Sequence, residues 1–137
     1  MRNLLIILIS FSLVVLTQAT NASDEKPIKH LNIADVGSMD EAKKVFVEKT
    51  FEMSTKQKLD ATELQQIHII TYSLEKSVAY FAEHLSGEKQ KIAQEMAVVV
   101  ENIHLNSENN RQEKTRQELV KYFELANKFI YNYWQVK

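Results

Sequence analysis

Between Leu64 and Leu85, the positions Leu64, Ile67, Thr71, Leu74, Val78, Phe81 and Leu85 recur at alternating intervals of three and four, with no glycine or proline between them. That spacing returns a side chain to the same stripe of an α-helix at every turn, whereas the faces of a strand alternate with period two. A helix with one apolar stripe has to bury it against something. The whole chain of 137 residues carries two glycines and one proline, and sheets of short strands need turn residues every 8 to 12 positions or so. The fold class is therefore all-α, and the partners of this helix are other helices.

Capping patterns mark where those partners begin. Ser38-x-x-Glu41 has the hydroxyl and carboxylate of a capping box, and Ala42, Val45, Phe46 and Met53 follow at helical spacing to about Ser54. Asp60-x-x-Glu63 opens the second helix after a connection at Lys56 to Leu59, and Gly87 supplies a left-handed position for its end. The third helix places Ile92, Met96, Val99 and Ile103 on its seam, with Ala93, Ala97, Val100 and Ser107 beside them. Asn109-Asn110 breaks it, and Asn110-x-x-Glu113 starts a fourth with Leu119, Phe123, Ala126, Ile130 and Tyr133 inward and Tyr122 and Phe129 alongside. Short connections make neighbouring helices antiparallel, so the expected architecture is an up-down-up-down four-helix bundle over residues 38–137. The competing arrangement is a three-helix array whose first helix packs loosely or swaps into a dimer.

Ahead of this domain, Arg2 is the only charge before Asp24, and Leu4 to Leu16 is apolar apart from two serines. Small-x-Ala patterns end at Ala19 and Ala22. Together these read as a secretory signal peptide over residues 1–22, cleaved after Ala19 or Ala22 and leaving no transmembrane anchor. Residues 23–37, with Pro27, form a flexible polar lead-in. The expected compartment is the periplasm. Without Arg2 the chain carries 16 basic and 18 acidic residues and no basic block, so nucleic acid is not an expected partner. With no cysteine, disulfides, thiolate metal sites and covalent haem are excluded.

One pair of residues stands out from the helical pattern. His68 and His104 are, to within about one residue's rise, equally far from the pivot of the hairpin between the second and third helices, near Ser86-Gly87. In an antiparallel pair they lie level, and each sits to the same side of its apolar seam, by roughly 100° and 60° respectively. Thr71, Tyr72 and Glu75 follow His68, while Glu101, Ser107 and Glu108 flank His104, all at helical-neighbour spacing. These eight residues form a candidate polar layer. Imidazoles with carboxylates are transition-metal donors, so His68 and His104 are candidate metal ligands. The simpler possibility is that each histidine packs beside the core and bonds a neighbouring hydroxyl or carboxylate. Glu101-x-x-His104 matches half of a di-iron motif, but Gln65 stands where the second glutamate belongs. Haem is disfavoured, since Met53 and Met96 have no histidine partner on the fourth helix.

The pairing of Ile67-His68-Ile69-Ile70-Thr71-Tyr72-Ser73-Leu74-Glu75 with the later Glu101-x-x-His104-x-x-Ser107-Glu108 resembles a family of small exported bacterial helical proteins of unknown function. The resemblance covers roughly residues 38–130. It implies a periplasmic location and a helical fold, and brings no activity with it. No nucleophile pairs with a base and no glycine-rich phosphate loop exists, so the expected function is a non-enzymatic binding or interaction module without a cofactor. Its partner is a protein or a second copy, and Val98 and Leu105, off the main seam, suit a dimer contact. The alternative is a metal- or cofactor-binding bundle using His68 and His104, for metal handling or electron transfer.

Overall fold

The computed structural model describes residues 31–134. The expected signal peptide, Pro27 and His30 lie outside them. Four helices follow in order: α1 (Met39–Ser54), α2 (Ala61–His84), α3 (Gly87–Glu108) and α4 (Gln112–Trp134). They pack as an all-α four-helix bundle, with α2 between α1 and α3 and α3 between α2 and α4.

The first two caps form as the sequence implies, whereas the third does not: Asn110 is left-handed (φ 51°) and α4 starts two residues later, at Gln112. Glu41 N–H donates to Ser38 Oγ at 3.2 Å, while the Glu41 carboxylate accepts from Gly37 N–H at 2.8 Å. Glu63 N–H donates to Asp60 Oδ1, and Glu63 Oε2 accepts from both Lys58 and Leu59 N–H at 2.7 Å. That double acceptor helps hold Leu59 in a left-handed conformation (φ 53°) and so turns its side chain into the core. Gly87 is left-handed too (φ 64°), but it opens α3, because α2 ends on an extended Leu85. A Cβ at Gly87 would touch nothing within 4 Å, so the backbone alone requires glycine there.

Three rings settle the position of α1. Phe46 meets Phe81 of α2 and Phe129 of α4 edge-on, at 5.7 and 5.6 Å between centroids, and Phe81 lies 5.0 Å from Phe129. This places α1 against both α2 and α4 and rules out the looser three-helix array. Ser77 Oγ, buried on α2, adds a bond to the Ala42 carbonyl of α1.

Two seams are rotated from their expected centres. On α3, Val100 and His104 are buried and Val99 only half-buried. On α4, Thr115, Leu119, Tyr122, Ala126 and Phe129 form the buried stripe, Phe123 is half-buried and Ile130 is exposed. Partner rings set this rotation: Phe129 completes the aromatic trio, and the Tyr122 hydroxyl bonds Thr50 Oγ1 of α1. Tyr133 stacks on Phe129 and carries the ammonium groups of Lys43 and Lys89 over its ring. Val98 and Leu105 are exposed as expected.

Residues 31–37 have no regular structure, yet they are tied to α2. The Leu31 backbone bonds the Tyr72 hydroxyl, and Asp35 pairs with Lys76 at 2.6 Å. Among the described residues, no helix is long and apolar enough to cross a membrane.

Candidate functional site: a buried histidine pair between two helices

His68 lies about two turns inside the N-terminus of α2, and His104 one turn from the C-terminus of α3. The antiparallel hairpin brings them level, and their rings meet with centroids 4.6 Å apart and planes at 63°. Both are buried, at 1% and 8% exposure. Tyr72 completes the ring cluster, 5.1 Å from His68 and 4.8 Å from His104.

The surrounding hydroxyls repeat one pattern on both helices. Thr71 Oγ1 donates to the His68 carbonyl at 2.7 Å, and Ser107 Oγ donates to the His104 carbonyl at 3.0 Å. The Thr71 proton is thereby committed. Its oxygen is also 3.1 Å from His104 Nδ1, so there it accepts, and neutral His104 carries its proton on Nδ1. Nε2 of His104 is left with its lone pair. Glu75 Oε1 lies 2.9 Å from the same Nδ1 but off the line of its N–H, so the hydrogen bond belongs to Thr71 and Glu75 acts through its charge. On the other ring, Nε2 of His68 lies 3.2 Å from the Tyr72 hydroxyl.

Carboxylates surround this pair. Burial pushes the Glu75 carboxyl above its ordinary range; His104 pulls it back, and the charge of Glu101 pushes it further. The Tyr72 hydroxyl is raised first by burial, with Glu108 and Glu75 adding to the shift and the Leu31 backbone opposing it.

His68, Thr71, Tyr72, Glu75, His104, Ser107 and Glu108 therefore converge as the spacing implies. Glu101 does not enter the layer: its side chain is exposed and reaches Glu75 only through space. His84 lies apart, exposed and stacked on Tyr80. Glu108 has a larger part than its spacing alone reveals. One ligand atom from each of His68, His104 and Glu108 lies within 4.8 Å of the others, a grouping that depends on how α3 is rotated against α2. Buried Thr115 and the Thr50–Tyr122 bond are further polar contacts in the core. Among the described residues they connect to no cluster of titratable groups, and nothing in the spacing pointed to them beyond residue type.

No curated protein and no solved structure matches this chain. One family does, over residues 1–131, and its function is unassigned. The chain belongs to the family of unknown function DUF6746.

Proposed function

We propose that this chain is an exported, non-enzymatic binding module whose ligand site is the polar layer between α2 and α3. One observation carries the reading: two buried imidazoles of different helices in ring contact at 4.6 Å. Burying polar rings costs free energy unless their nitrogens are bonded. A layer serving packing alone needs one hydroxyl or carboxylate per histidine. Here Thr71, Tyr72, Glu75 and Glu108 crowd the same pair.

The hydroxyl geometry supports a binding role over catalysis. Thr71 and Ser107 both give their protons to backbone carbonyls, so neither is poised to pass a proton to His104 as an activated nucleophile would. Export is supported by Arg2, the apolar run Leu4 to Leu16 and the small-x-Ala sites.

Two measurements test the proposal. The full chain expressed in a Gram-negative host should appear in the osmotic-shock fraction, with its N-terminus at Thr20 or Ser23; retention at full length in the cytoplasm contradicts export. Native mass spectrometry of that protein should show a bound species that a His68→Leu/His104→Leu variant lacks. A species-free protein, with the variant equally or more stable, would make the layer purely structural.

A further inference from the structure

We infer that the polar layer binds a divalent first-row transition-metal ion, with one ring nitrogen each from His68 and His104 and the Glu108 carboxylate as its protein ligands. This rests on the binding-module reading and names the ligand class of that site.

The donor set comes first. Two imidazoles and a carboxylate, with no thiolate in the chain, suit zinc, copper(II) or nickel(II), and suit calcium or magnesium poorly because those ions demand six or more oxygens. Geometry comes second. The three ligand atoms lie within 4.8 Å of one another, whereas four-coordinate zinc at its usual bond lengths sets neighbouring ligand atoms about 3.4 Å apart. Glu108 is half-buried and ends α3, so rotation about its side-chain bonds can bring its carboxylate closer to the rings.

The ring chemistry agrees. Thr71 holds the His104 proton on Nδ1, which presents Nε2 to an incoming cation. Glu75, 2.9 Å from Nδ1, places a carboxylate charge behind the ring, which favours a cation bound on its far side. Tyr72 orients the second ring from its hydroxyl. Helix electrostatics point the same way, because α3 has no basic residue in its last turn. A cation at His104 and Glu108 would meet the negative end of that helix dipole. Three protein ligands leave a fourth position open, as in exchangeable rather than closed structural sites.

The test uses the mature protein, stripped with chelator and titrated with zinc sulfate by calorimetry, with metal content measured after gel filtration. We expect one zinc per chain. His104→Gln should abolish stoichiometric binding, and Glu108→Gln, at a half-exposed helix end where folding is not at stake, should weaken it at least tenfold. Glu75→Gln tests a positioning residue: stoichiometry should hold while affinity falls about 10–100-fold. Substoichiometric zinc, or affinity unchanged in Glu108→Gln and His104→Gln, overturns the metal assignment. If a non-metal species then persists in native mass spectra and disappears in His68→Leu/His104→Leu, the binding-module reading survives; if none does, both fall.

Discussion

Thr71 decides the chemistry of the layer, because its single proton goes to the His68 carbonyl and forces its oxygen to accept from His104. Thr71→Val keeps the shape and leaves the His104 N–H without that acceptor. The expected loss is about 1–3 kcal/mol in urea denaturation, the usual cost of orphaning a buried donor; an unchanged midpoint would mean that Glu75 replaces the hydroxyl. Glu75 gives a pH signature. Its carboxyl is raised mainly by burial, against His104 and Lys76 and with the charge of Glu101. A raised acid contributes stability in full below its ordinary value of 4.5, and that share is lost as pH rises through the folded value. Metal-free Glu75→Gln should therefore gain stability relative to the parent as pH rises above 4.5. At this scale the sequence was legible in part. Near-equal distances from the Ser86-Gly87 pivot put His68 and His104 together, but Glu101 and Glu108 lie two turns apart on nearly the same face of α3, so helical spacing alone does not tell which of them reaches the layer.

At the scale of elements, helix ends were easier to read than helix faces. Ser38, Glu41, Asp60 and Glu63 cap where their spacing implies, because capping bonds are local and need no partner helix. The face of α4 was harder. Tyr122 and Phe123 are adjacent, as are Phe129 and Ile130, so two stripes rotated by one residue are almost equally apolar. The choice falls to Thr50, Phe46 and Phe81 on other helices. Gly87 tests the α2–α3 hinge that sets the histidines level. Since no atom blocks a Cβ there, Gly87→Ala should cost only the left-handed backbone penalty, about 1–2 kcal/mol. Differential scanning calorimetry should show a lower melting temperature with zinc stoichiometry unchanged. A loss of metal binding would mean that the hinge, rather than the side chains, sets the site.

For the whole molecule, the aromatic trio and the polar layer have separate duties. Phe46→Ala removes the ring shared by α1, α2 and α4, and should cost about 3–5 kcal/mol by chemical denaturation. The buried Tyr122 hydroxyl is raised well above its ordinary value of 10.0, chiefly by burial and against its bond to Thr50. Its contribution is whole below pH 10 and is lost as pH climbs beyond, so Tyr122→Phe should lose less stability than the parent under alkaline conditions. Neither change touches His68, His104 or Glu108. The all-α class followed from the seven-residue repeat and the scarcity of glycine and proline, while closure of α1 onto α4 needed the three-ring contact that no single helix encodes.

The tautomer of His104 is the point on which the binding account turns. Long-range nitrogen–proton NMR of 15N-histidine-labelled protein reads it directly. The account predicts protonated Nδ1 and bare Nε2 in the metal-free state, with Nε2 as the His104 nitrogen that moves when zinc is added. A proton on Nε2, together with no movement at either histidine on addition of zinc, would contradict it.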